Sequence, residues 1–280
     1  MGGFLVSTVR FMASLLADSS CAATTAQTES AASTQVEVCC DSIVSALVAM
    51  QNGAHRIELC VALPVGGVTP STGLVSEVFR QRRLLGSSTQ VGVLVRPRNG
   101  DFVYTPAELD VIYADISVMA GLGVDFVAVG ALLADGSLDS GALRLMVKAA
   151  GPSTQVVCHR CVDVAGDFHA AVAQALAAGA CRVLTSGGSA TAVGGHAALT
   201  GLLGDPLIHP SQVCAASGIT GDTLPSLLAA VPGLRQVHGS FRGAAAPDSL
   251  RRAVLPSEQP GLRVCDKEQL LHVLAIMGSA

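Results

Sequence analysis

From Val36 onward, short aliphatic runs alternate with longer segments whose apolar positions recur three and four residues apart. Four stretches repeat one phrase: "GAHRIELC" (53–60), "GVDFVAVG" (123–130), "GACRVLTS" (179–186) and "GLRQVHGS" (233–240). Each opens on a glycine that follows an apolar-periodic segment, where a helix C-cap glycine belongs, and then runs into a short strand. The phrases lie about two βα units apart, so intermediate strands are expected. "VEVC" (36–39), "VGVLVR" (91–96), "QVVCH" (155–159) and "QVCAA" (212–216) supply them, for eight in all.

The segments between the strands carry helix signals. "SIVSALVAMQ" starts at Ser42 and stops at Asn52-Gly53, and "DFHAAVAQALAAG" starts at Asp167. Thr105 and Glu108 have capping-box spacing with Pro106 at the first helical position, and Asp266 and Gln269 hold capping positions before the last helix. Alternating β and α elements over residues 36–280 predict a single (β/α)8 TIM-type barrel domain. An open doubly wound sheet is the alternative, but no phosphate loop or dinucleotide glycine fingerprint supports it.

In a strand, successive side chains face opposite ways, and a barrel needs its helix-facing side apolar. With Val36, Val38, Ile57 and Leu59 assigned outward, Glu37, Cys39, Glu58 and Cys60 point inward. The same parity turns Arg96 and Arg98 inward on the third strand, His159 on the fifth, and His238 and Ser240 on the eighth. Two Glu-x-Cys pairs, two arginines and two histidines are thus expected in one cavity at the carboxyl ends of the strands. Buried singly, each charged group would cost several kcal/mol, so mutual pairing is expected, and a self-neutralising polar layer is the plain structural reading.

Half of the 280 residues are apolar and only 14% are charged, with no unbroken apolar run of membrane-spanning length. A net charge of −4, scattered basic residues and the absence of Trp argue against a nucleic-acid surface. Nine dispersed cysteines suit free thiols in a reducing compartment, so a cytoplasmic location is expected, with a nuclear one also compatible. Residues 1–35, rich in Ala, Ser and Thr, read as a disordered extension or a weak organellar targeting segment outside the fold.

Together "EVCCDS", "RIELC", "GGVTPS" (66–71), "VRPRNGDFVYT" (95–105), "CHRCVD" (158–163), "RVLTSG" (182–187) and "VHGS" (237–240) resemble the CutC copper-homeostasis family. The likeness is collinear over about 36–280. It implies a (β/α)8 barrel, usually oligomeric and mostly intracellular, with Cu(I) bound at cysteines matching Cys39 and Cys60. Two stretches depart from the family pattern. "CHRCVD" stands where the family usually has "FHRAFD", and the glycine-rich turn near strand seven is "AASGIT" (215–220), with only Gly218 left.

Soft Cu(I) prefers thiolates, and Cys39 and Cys60 are expected at equal depth on neighbouring strands about 4.8 Å apart. Isolated cysteines usually act as small buried hydrophobes, the role expected of Cys40, Cys181 and Cys214. Cys158 and Cys161 lie three apart and can share a ligand only where the chain turns after His159. Two arginines in the mouth suit carboxylate or phosphate better than a cation. An enzyme acting on a small anion is therefore the second reading. Arg96, Arg98, Asp101, Ser186, Gly187, His238 and Ser240 would hold the substrate, and Glu37, Glu58 or His159 would move protons. A scaffold acting through its surface or as a homo-oligomer is the third.

Overall fold

The structure, a computed structural model, describes residues 34–244 and 263–279. The expected extension over 1–35 lies outside these residues apart from its last two, and the first strand starts at Gln35. Eight parallel strands are present: β1 (Gln35–Cys40), β2 (Arg56–Leu59), β3 (Gln90–Leu94), β4 (Phe126–Val129), β5 (Gln155–Cys158), β6 (Arg182–Thr185), β7 (Val213–Ala216) and β8 (Gln236–Gly239). They pair in sequence order, and β8 returns to β1 to close the barrel.

Helices α1 (Ile43–Gln51), α2 (Thr72–Leu85), α3 (Pro106–Gly121), α4 (Ser140–Ala150), α5 (Phe168–Ala177), α6 (His196–Gly204) and α7 (Leu224–Ala230) alternate with the strands. After β8, strands β9 (Arg242–Ala244) and β10 (Arg263–Cys265) pair antiparallel and lead into α8 (Lys267–Gly278). Among the described residues, no helix is long and apolar enough to cross a membrane.

Local chemistry sets these boundaries. The Ser42, Asp167 and Asp266 side chains accept from the first backbone amides of α1, α5 and α8. Thr105 and Glu108 form a reciprocal capping box on α3. The four repeated glycines, Gly53, Gly123, Gly179 and Gly233, have φ of 85°, 82°, 107° and 89°, the left-handed region that releases a chain from a helix at little cost. The recurring phrase is therefore the helix exit that precedes each even-numbered strand.

Side-chain parity follows from burial. Val36, Val38, Ile57 and Leu59 are fully buried in the layer between barrel and helices. Cys39, Cys60, Leu94, Phe126, Leu184 and Cys214 belong to a separate cluster inside the barrel. Burial of each large aliphatic side chain contributes about 1.5–3 kcal/mol.

Register determines what meets inside. Glu37 stands opposite Arg56 on one side and His238 on the other. Cys39 stands opposite Glu58, and Cys40 opposite Leu59, so Cys60 is one inward position above Cys39. This corrects the expectation of equal depth: tilted barrel strands are staggered, and the cysteines meet diagonally.

Candidate functional site

The floor of the barrel mouth is built around one carboxylate. Glu37, with no exposed surface, accepts on Oε2 from Arg56 Nε and Arg182 Nη2, each at 2.8 Å. Its Oε1 is 2.8 Å from His238 Nδ1. Burial pushes the carboxyl pKa up, but Arg182, the His238 hydrogen bond and Arg56 outweigh that and hold it well below the usual range. Glu37 is therefore an anion shared by four strands. Arg182 also stacks on Phe126 at 4.5 Å, and Arg56 donates to Gln236.

One layer higher, His238 Nε2 lies 3.7 Å from Glu58 Oε2. Burial pushes the Glu58 pKa up, His238 opposes it, and the Glu37 charge adds to the rise. Burial alone would lower the His238 pKa, but Glu58 and Glu37 together raise it. The two groups titrate as a pair. Glu58 Oε1 is buried without a hydrogen-bond partner.

Beside this pair the Cys39 and Cys60 sulfurs approach to 3.7 Å. Ligand atoms of Cys39, Glu58 and His238 all lie within 4.8 Å of one another. The hydrogen bond to Cys60 and burial push the Cys39 thiol well up, so it is protonated at neutral pH. Cys39 lines the cavity, whereas Cys60 is sealed behind it, its sulfur under the loop at Gly67.

The donor set fits a soft ion. Two thiols stand side by side, and an imidazole whose Nδ1 is fixed by Glu37 leaves Nε2 for a ligand. That is the carboxylate–histidine arrangement which orients metal-bound imidazoles. Loss of thiol protons would accompany binding.

Above the floor opens a cavity of about 600 Å³, walled in part by Arg96, Phe102, His159, Ser240 and Phe241. Arg96 and His159 are 6% and 5% exposed. Burial, and then the Arg96 charge, lower the His159 pKa to about 3, so this imidazole is neutral.

The structure therefore brings Cys39, Glu58, Arg96, His159, His238 and Ser240 to the cavity lining, with Glu37 and Cys60 fully buried behind it. Four other candidates lie elsewhere. Arg98 donates to Glu108 at 2.5 Å and to Asp101 at 3.1 Å and lies over Tyr104, tying down the β3–α3 loop outside the cavity lining. Asp101 is thereby bound to Arg98 at an exposed position. Ser186 is fully buried on Asp163, and Gly187 N donates to Thr185 Oγ1, so neither lines the cavity.

Asp163 is a structural node that parity alone does not reveal. It accepts from Thr185 Oγ1, Ser186 N and Oγ, Gly188 N and Arg160 Nε, fixing the loop after β6. Its i, i+3 spacing from Arg160 was the available signal. Arg56 and Arg182 were also missed, although each shares inward parity with its neighbour two residues on. The chain does turn after His159, in a short 3₁₀ segment, and the Cys158 and Cys161 sulfurs lie 3.7 Å apart. Both are fully buried in the apolar layer outside the barrel.

Comparison with known proteins adds lineage. A model described as the CutC family matches residues 34–243. A family protein CutC of Xanthomonas campestris pv. campestris (strain B100) is 39% identical over 214 residues, 75% of this chain and 85% of the relative. One from Bacteroides thetaiotaomicron is 35% identical over 221 residues, covering 76% and 83%. A solved CutC structure from Streptococcus agalactiae, which carries a copper-homeostasis name, superposes with TM-score 0.66 at 26% identity, covering 74% of this chain and 98% of that one. A 2,3-dimethylmalate lyase structure, at TM-score 0.51 and 15% identity over 75% and 77%, shares the fold alone.

Proposed function

The chain belongs to the CutC family, and on that premise we propose that it binds Cu(I) at the floor of the barrel mouth and serves copper homeostasis. One observation carries the reading: two free thiols, Cys39 and Cys60, stand 3.7 Å apart. His238 and Glu58 offer further donors beside Cys39. Soft thiols select the cuprous ion over harder cations, and the imidazole Nε2, once free of its proton, is the next acceptable donor. Glu37 acts one step removed, holding the His238 ring so that Nε2 faces the sulfurs' layer. The copper-homeostasis name of the Streptococcus agalactiae structure supports the same assignment.

All described cysteines are free, including the two pairs at 3.7 Å. This supports a reducing compartment, and we assign the protein to the cytoplasm.

Anaerobic Cu(I) titration against a chromophoric chelator tests the proposal on the full chain. Cys39→Ser and Cys60→Ser should each lose one chelator-resistant equivalent, whereas Cys158→Ser/Cys161→Ser should retain it. Unchanged stoichiometry and affinity in the first two variants would overturn the reading.

A further inference from the structure

The cavity above the thiol floor contains a cation that, among the described residues, no acidic side chain pairs with. The Arg96 side chain is 6% exposed, and its guanidinium donates to the carbonyls of Gly67 at 3.2 Å and Gly100 at 2.6 Å while lying over Phe102 at 4.8 Å. None of these partners is anionic. Its Nε is buried without an acceptor. The neutral Tyr104 hydroxyl also lies against Arg96, but a buried cation without a counter-ion remains costly. The other arginines of the mouth differ: Arg160 is paired with Asp163 and Arg242 with Asp41. Exposed Arg263 adds charge only at the rim, where water screens it.

A second unsatisfied group lines the same cavity. His159 Nδ1 accepts from the Cys161 amide, which puts the proton of the neutral ring on Nε2. That Nε2 is buried and has no acceptor. His159 also packs against Phe102, with ring centroids 5.0 Å apart, so one aromatic ring supports both groups. Space for the Arg96 fork is provided by Gly66: a Cβ there would lie 2.8 Å from Arg96 Nη1. Two side chains that each carry an unsatisfied donor, one charged and one neutral, thus line one cavity.

From this geometry we propose that the barrel mouth binds a small organic acid, its carboxylate held by Arg96 and His159 and its body lying against Leu63, Leu94 and Phe102. A planar carboxylate matches a guanidinium fork and brings the single negative charge that Arg96 lacks. The volume of about 600 Å³ is within the range of small-molecule sites.

A phosphate dianion is the competing occupant. Barrels that hold phosphate do so with free backbone amides after the seventh and eighth strands. Here the first amides of α8 are already taken by Asp266 and α7 is only seven residues long, but the loops after β7 and β8 line the cavity at Gly218, Ile219, Ser240 and Phe241, so titration must separate the two anions. The acid's donors, Arg96 and His159, are not the thiol donors, although Cys39 lines the same cavity, and the copper reading can fail without removing them.

Isothermal titration of the full chain with acetate, hexanoate and benzoate, each against its amide, tests the proposal. At least one acid should bind saturably and at least tenfold tighter than its amide. Arg96→Lys keeps the charge but loses the fork, and should weaken that acid about tenfold. His159→Asn keeps the acceptor for the Cys161 amide but loses the Nε2 donor, and should weaken it several-fold with Arg96 still in place. Acids and amides binding alike, or both Arg96→Lys and His159→Asn binding the acid like wild type, would overturn the site. Inorganic phosphate binding tighter than every acid would overturn the choice of carboxylate.

Discussion

Replacing Glu37 with Gln removes the one negative charge on which two buried arginines and a histidine converge. The native carboxylate accepts at 2.8 Å from Arg56, Arg182 and His238, and its own side chain is fully buried. Breaking a buried ion pair costs about 3–5 kcal/mol because the remaining charge stays out of water. Here two guanidinium groups lose their shared partner, although the Gln carbonyl keeps one acceptor and its NH2 turns a donor toward donors. The expected loss is about 4 kcal/mol, equivalent to a fall of roughly 8–16 °C in Tm for a domain of this size. With no Trp in the chain, urea and thermal unfolding are best followed by far-UV circular dichroism. The pH dependence has a definite sign. Glu37 has a folded pKa held well below the unfolded value of about 4.3, so its contribution is complete above about pH 5 and is lost as pH falls through the folded value. The Gln variant should therefore show a flatter acid limb. A loss under about 1 kcal/mol, with an unchanged acid limb, would refute the idea that this carboxylate holds the floor together.

Thr105→Ala removes one half of the reciprocal box on α3 and should cost about 1 kcal/mol in urea unfolding. Gly195→Ala would put a Cβ 1.8 Å from the Ser186 carbonyl oxygen, a backbone clash. It should destabilise the protein by more than about 3 kcal/mol or prevent soluble expression. Because the Cys39 thiol pKa is raised, Cu(I) must displace its proton. Apparent Cu(I) affinity should then rise about tenfold per pH unit between pH 6 and 8 for each thiol proton released, read by chelator competition.

Much of this arrangement is legible in the amino-acid order because the barrel imposes a simple rule on extended chain. Aliphatic residues at 36, 38, 57 and 59 must meet the helices, so Glu37, Cys39, Glu58 and Cys60 have only the interior left. The rule fails at Arg98 for a physical reason. β3 ends at Leu94, Pro97 follows Arg96, and by residue 98 the chain is a loop in which Glu108 and Asp101 determine the direction of the side chain. Ser186, expected as a loop residue to hold substrate, falls outside the rule: its hydroxyl is claimed by Asp163 from another loop, a contact across 23 positions that no local pattern encodes. The relative height of Cys39 and Cys60 depends on strand stagger, a property of the closed sheet rather than of either strand.

Glu37 has a consequence for how the chain can be made and divided. Its partners come from β2, β6 and β8, the last of them 201 positions away. A nascent chain that has emerged only through β4 holds this acid against Arg56 alone, and a fragment beginning at β5 carries Arg182 with no counter-ion. Neither half is electrically complete, so the barrel is expected to acquire its fold late in synthesis, when β8 docks. Genes cut at its midpoint should yield pieces that recover structure only when mixed.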